Sequence, residues 1–220
     1  MTKKRTDHLD GGSNGEATAL MDPTAGGNEF IQISEPYRVS VTIRGIAHIL
    51  FHAWNVESIE TKAGLAKGSK GKKVDDVESY VYRVPKGGKG AGNIAIPGAY
   101  FAAALRDTSK FFQDPRSPRA GFGKLLQASL VVNTEYADTG KKTWDVLDKR
   151  RVQVQRNGLT RHRPCLLKGW EATFELEVVL PEYLPKDKLL EIITMCGRVN
   201  GLADFRPTYG RFQVTNFEEI

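Results

Sequence analysis

The 220-residue sequence predicts an α+β fold with elements in the order β-α-β-β-α-β, the ferredoxin-like arrangement of one antiparallel sheet backed by two helices. Apolar and polar residues alternate at Val39-Ser40-Val41-Thr42-Ile43 and again over 170–180, the period of half-buried strands. Apolar residues recur at helical spacing over 99–112 and 189–199. Prolines and glycines gather in the connections, at 113–124 and at Pro181 and Pro185.

Residues 1–30 are rich in Gly, Asp, Asn, Thr and Ser without periodic apolar positions, and read as a disordered tail ahead of a single domain over 31–220. The first strand begins near Tyr37 and continues towards Phe51. An insertion over about 57–93 follows, polar and glycine-rich, with a strand-like piece at Tyr80-Val81-Tyr82-Arg83-Val84. Ala99 to Arg106 is an alanine-rich helix with Phe101, Leu105 and Phe112 near one face, ending before Pro115. Residues 113–124 read as loop, and a strand is expected from Ala128 to about Tyr136. A second insertion occupies 138–168, where Val152 and Val154 suggest a β-ribbon. In the clearest strand, 170–180, Trp170, Ala172, Phe174, Leu176 and Val178 face one way and Glu171, Thr173, Glu175 and Glu177 the other. Leu189, Ile192, Ile193, Cys196 and Val199 mark the second helix, and a last strand runs from Tyr209 to about Phe217.

A net charge of +6 permits binding to a polyanion without establishing it, so placement of the charge matters more than the sum. Both insertions are cationic. Lys62, Lys67, Lys70, Lys72 and Lys73 stand without a carboxylate between them, and Lys86 and Lys89 flank glycines in the same insertion. Between Lys141 and Lys168, nine Lys/Arg, among them Arg150, Arg151, Arg156, Arg161 and Arg163, face two Asp. The closing run Gly201-Leu202-Ala203-Asp204-Phe205-Arg206-Pro207-Thr208-Tyr209-Gly210-Arg211 adds Arg206 and Arg211 beside two aromatic rings. Cations that follow a phosphate backbone, with rings on which bases stack, suit single-stranded nucleic acid. Tyr80, Tyr82, Trp144 and Tyr209 are the candidate stacking rings.

Catalytic patterns are wanting. No serine sits in a G-x-S-x-G elbow, and no glycine–lysine pair completes a phosphate-binding G-x-x-x-x-G-K-[ST] loop. His162 lies between Arg161 and Arg163, a poor setting for a base. Asp75, Asp76 and Glu78 form the only tight acidic group beside a basic stretch, able to hold Mg²⁺ or to stand as solvated loop charge. Cys165 and Cys196 lie in no CxxC and near no paired histidine, so two free thiols are expected and neither a zinc site nor a cofactor is implied. No signal-peptide pattern or membrane-length apolar stretch is present, and a cytoplasmic setting in a bacterial or phage-infected cell is the expectation.

The segment Ile96-Pro97-Gly98-Ala99-Tyr100-Phe101-Ala102-Ala103-Ala104-Leu105-Arg106 resembles the helix start of the RAMP superfamily, which includes the backbone subunits of CRISPR effector complexes. The turn from Gly197 to Phe212 resembles that superfamily's C-terminal glycine-containing segment, and its GLADFRPTYGRF run is also similar to phage and prophage proteins of this size. The resemblance implies an RRM-like palm, a finger-like insertion at 57–93 and a thumb-like ribbon at 138–168. It further implies Arg106 facing an RNA backbone and subunits polymerising along a guide RNA, with other effector or phage proteins as further partners. In RNA-cleaving members an aspartate in the loop before the IPG segment cuts the target. Asp75 and Asp76 lie further upstream with no matching motif around them, so the chain is expected to be non-enzymatic. The leading expectation is therefore a sequence-independent single-stranded RNA binder. A phage single-stranded-DNA-binding or annealing protein, a metal-dependent ribonuclease and a protein-interaction module stand as alternatives.

Overall fold

The computed structural model describes residues 34–53, 64, 76–154 and 157–220. The tail 1–30, the lysines from Lys62 to Lys73, Asp75 and Arg156 lie outside the described residues.

Strand β1 (Tyr37–Gly45) leads into the short β2 (Ile49–Leu50). A single 3₁₀ turn, Val77–Tyr80, precedes β3 (Ala95–Pro97) and α1 (Gly98–Ser109). A small hairpin of β4 (Gln113–Asp114) and β5 (Ser117–Gly121) is followed by α2 (Gly123–Ser129), β6 (Leu130–Val132) and β7 (Tyr136–Asp138). The ribbon of β8 (Val146–Val154) and β9 (Asn157–Leu166) comes next, then β10 (Glu171–Val178), α3 (Lys186–Val199) and β11 (Phe212–Glu219).

The main sheet has the order β11-β1-β10-β6 with every neighbour antiparallel. Counting only those four strands in chain order, this is 4-1-3-2, the ferredoxin-like arrangement that two strand–helix–strand crossovers produce. Period-two alternation aims Val39, Val41 and Ile43 of β1, and Ala172, Phe174, Leu176 and Val178 of β10, at the helices, and all are buried. Phe101 of α1 stacks on Phe174 with ring centroids 4.3 Å apart, while Leu189, Ile192, Ile193 and Cys196 line the inner face of α3. A buried ring of this size contributes about 2–3 kcal/mol of transfer free energy.

Helix α1 starts directly after Pro97 because Gly98 lets the chain press against the β6–β7 connection. A Cβ at Gly98 would lie 1.9 Å from the Thr134 carbonyl oxygen, and the Gly98 N–H donates to Glu135 O at 2.9 Å. At its other end the hydroxyls of Thr108 and Ser109 donate back to Ala104 O and Arg106 O.

Four local expectations need correction. Tyr80–Val84 is not a strand: the Ser79 hydroxyl and N–H both bond Asp76 O, winding a 3₁₀ turn, and only an isolated bridge joins Arg83 to Ile94. Residues 113–124 are not simple loop but hold a hairpin and the start of α2. The strand expected from Ala128 begins at Leu130, since Leu125 and Leu126 bury themselves on a seven-residue helix reaching Ser129. The last strand begins at Phe212, because Gly201 to Arg211 folds back on itself. Among the described residues no helix is long and apolar enough to cross a membrane.

Candidate nucleic-acid interface

The open face of the main sheet carries Arg38, Ser40, Thr42 and Arg44 on β1 beside Glu171, Thr173, Glu175 and Glu177 on β10. No aromatic ring stands among these residues, and Arg38 and Arg44 already lie 3.6–3.9 Å from the glutamates. Reading bases across this face, as RNA-recognition modules do, lacks its stacking rings and meets carboxylates instead. The candidate surface lies elsewhere, where the glycine-rich turn meets the ribbon and α1.

That turn is closed by its own main chain. Leu202 N–H donates to Gly210 O at 2.9 Å, Gly210 N–H to His48 O at 2.7 Å, and Asp204 N–H to Leu50 O at 3.0 Å, so the turn lies against β2. Gly210 holds φ +76°, and a Cβ there would stand 1.8 Å from Leu202 O. Ala203 (φ 62°) and Phe205 (φ 60°) occupy the left-handed region without being glycine. Each costs on the order of 1 kcal/mol or more, a strain that persists only where the surroundings impose it.

Cross-strand register in the ribbon pairs Asp148 with Arg163 and Arg150 with Arg161, so these four share one face. Lys149, Arg151 and His162 take the other. On the first face the Arg163 Nε donates to Asp204 Oδ2 at 2.5 Å, and the guanidinium lies 5.6 Å from the Phe205 ring centroid. Arg163 is only 3% exposed, and its buried Nη1 has no hydrogen-bond partner among the described residues. Arg150 donates through Nε to Asp148 at 2.8 Å and also to the Tyr209 hydroxyl, with its guanidinium 4.9 Å from the Tyr209 centroid and 5.4 Å from that of Phe205. The hydrogen bond to Asp148 raises the Arg150 pKa and fixes its charge. These two arginines hold the turn on the ribbon, which sequence reasoning did not anticipate. The signal was Asp204, an acid placed inside a basic turn.

Arg206 and Arg211 are exposed on the turn, with Arg206 Nη1 3.3 Å from Asn200 Oδ1. Asn200 in turn donates to Ala104 O at 3.0 Å, tying the turn to α1. Between them opens a cleft of about 340 Å³ lined by His52, Tyr100, Ala103, Ala203, Asp204 and Arg206. Between α1, α2 and β6 a second groove of about 230 Å³ holds Arg106 beside Ala99, Ala102 and Ala103, with Leu126, Gln127, Leu130 and Val132 as its other wall. The structure thus brings Arg106 and Arg206 to the two flanks of one helix, on which Ala99, Ala102 and Ala103 are small and Asp107 is paired with Lys110. Lys86 and Lys89 stand apart on the exposed turn after Val84, anchored through Arg83 to Gly92 O and Lys142 O at 2.7 and 2.8 Å.

The expected stacking rings are all half-buried. Tyr80 lies 4.5 Å from the His52 ring, and Tyr82 packs against Tyr100 and Tyr136. Burial, with the Tyr82 hydroxyl and the Asp204 carboxylate, pushes the Tyr100 phenol well above its ordinary value, so it stays neutral. Trp144 donates to Glu78 at 2.8 Å, and this bond together with Arg83 holds Glu78 below the usual carboxylate range. Asp76 is exposed, and among the described residues no group of three His, Cys, Asp or Glu is placed to hold a metal.

No family model matches the chain, and no curated protein matches it. Among solved structures 83 chains do. One is a chain in the cryo-EM structure of the type III-B Cmr-beta bound to cognate target RNA, with a TM-score of 0.52 and 13% sequence identity. The match covers 84% of the present chain and 61% of that one, so the chain spans about three fifths of its counterpart's length. At this identity the likeness is one of fold.

Proposed function

We propose that the chain binds single-stranded RNA without sequence-wide readout, as a non-enzymatic subunit that repeats along the strand in the manner of RAMP backbone proteins. The observation that carries this is the pair of grooves along α1, where Ala99, Ala102 and Ala103 leave room for a strand and Arg106 and Arg206 flank its path. The glutamates on the sheet face push a polyanion away from the alternative surface. A fold shared with a chain from an RNA-bound type III-B assembly favours the same reading. Lys149 and Arg151, on the ribbon face turned from the glycine-rich turn, together with Arg211 and the lysines of the first insertion, would add phosphate contacts that are blind to sequence.

Fluorescence anisotropy with a labelled 30-nucleotide RNA, titrated over salt, tests this. Submicromolar binding at low salt is expected, weakening steeply as salt rises. The double substitution Arg106→Glu, Arg206→Glu should weaken binding at least tenfold. It should also flatten the slope of log affinity against log salt by about 0.7 for each phosphate no longer neutralised. Light scattering should find more copies on a 60-mer than on a 30-mer. Absence of binding at low salt sinks the proposal, and a preference for DNA of the same sequence would reassign the strand.

A further inference from the structure

We infer that the cleft between α1 and the glycine-rich turn is a slot for one nucleobase of the bound strand, selective for a base that offers an exocyclic amine to Asp204. The inference rests on the strand-binding function above and adds a base-reading position to it.

The cleft is bounded by the flat rings of His52 and Tyr100, by the small side chains of Ala103 and Ala203, and by Asp204, with Arg206 at its rim. Rings that close a slot while alanines keep it open suit a planar guest. The polar groups decide which guest. A carboxylate has about four lone-pair positions. One oxygen of Asp204 accepts from its neighbour's N–H, Phe205, at 2.9 Å, and the other accepts from Arg163 at 2.5 Å. Acceptor capacity therefore remains on a side chain that is 33% exposed. The buried Arg163 guanidinium neutralises that carboxylate, so a phosphate held by Arg206 is not repelled. Asp204 also sits between two residues in the left-handed region, so the backbone is held at a cost in the one place where this carboxylate meets the cleft.

Where the edge of the base meets Asp204, a carboxylate that accepts and cannot donate discriminates between the pyrimidines, whose rings are alike in size. Cytosine presents its N4 amine, the group that aspartate and glutamate accept from. Uracil presents a carbonyl oxygen at the same place, and its one N–H lies between two carbonyls that a carboxylate repels. Adenine, with its N6 amine, and guanine, with its N2 amine beside N1–H, satisfy the same rule.

The test is anisotropy at pH 8 and low salt with labelled oligo(rC) and oligo(rU) of equal length. The native chain should bind oligo(rC) about tenfold more tightly. Asp204→Asn replaces one carboxylate oxygen by an NH₂ donor and leaves the other oxygen to Arg163, so the ratio should come close to one. Because that change also disturbs Arg163, Ala103→Phe provides an independent variant that fills the slot from the α1 side, and it too should erase the preference. Equal affinity of the native chain for both oligomers would overturn the slot and leave strand binding standing. A tenfold preference that survives both substitutions would place the selectivity elsewhere and likewise overturn it. Failure to bind either oligomer would instead defeat the strand-binding function on which the slot depends.

Discussion

Arg163 and Asp204 form a pair of unequal partners, one almost wholly buried and the other a third exposed. Removing the acid leaves a guanidinium stranded away from water, whereas removing the base leaves a carboxylate that solvent still reaches. Asp204→Ala should therefore cost about 3 kcal/mol of folding stability, and Arg163→Met, which keeps the packed volume, clearly less. Urea denaturation of both variants checks the order, and equal losses would contradict it. This pair also shows where the sequence stopped being legible. Arg163 and Arg150 read as free ligands for phosphate because nothing in the linear order places Asp204 and Tyr209 against the ribbon. The contact depends on the register that sets Asp148 opposite Arg163, and a one-residue slip between the two strands would have put Arg150 and Arg163 on opposite faces. Arg106 was placed through a resemblance, and the structure sets it on the exposed side of α1.

At the level of elements, strong periodicity was read correctly and short segments were not. Residues 170–180 and 189–199 showed their burial patterns plainly, and β10 and α3 follow them. Helix α2 was missed because seven residues give barely two turns, too few for a period beside a Pro/Gly-rich loop. The tyrosine-rich piece at 80–84 has strand composition, but the 3₁₀ turn takes in Tyr80 and only Arg83 finds a bridge partner, Ile94, so no ladder forms. The glycine-rich turn is the element on which the site depends, and it is held by a left-handed Gly210 that faces a carbonyl. Gly210→Ala should cost about 2 kcal/mol or more and loosen the turn from β2. Hydrogen exchange should show the amides of Leu202, Asp204 and Gly210 losing protection while those of β1 and β10 keep theirs.

Across the whole molecule, ionisable groups define a pH window. Hydrogen bonds from Trp144 and Arg83 hold Glu78 low, those from Arg116 hold Asp114 low, and in Asp145 the Leu167 N–H and Lys141 outweigh burial. Depressed carboxylates stabilise the fold above their unfolded values near pH 4, and that contribution is lost as pH falls through the folded ones. Burial acts oppositely on Cys165 and Cys196, each pushed up to about 11, and with Glu219 on Tyr37, pushed up to about 12. Their contribution is complete below the unfolded thiol value, about 8.5, and disappears as pH climbs through 11 and 12. Thermal melts across pH should show a plateau between about pH 5 and 8 with losses on both sides, and melting temperature still rising from pH 9 to 11 would contradict it. The sheet has one more consequence, which concerns how the chain is made. Strand β1 is central, yet both its neighbours, β10 and β11, are encoded more than a hundred residues later. On a translating ribosome β1 therefore emerges with neither edge covered and waits on the order of ten seconds for its first partner. Val39, Val41 and Ile43 make that waiting strand adhesive. The interval before β10 is synthesised is when this protein most needs a chaperone.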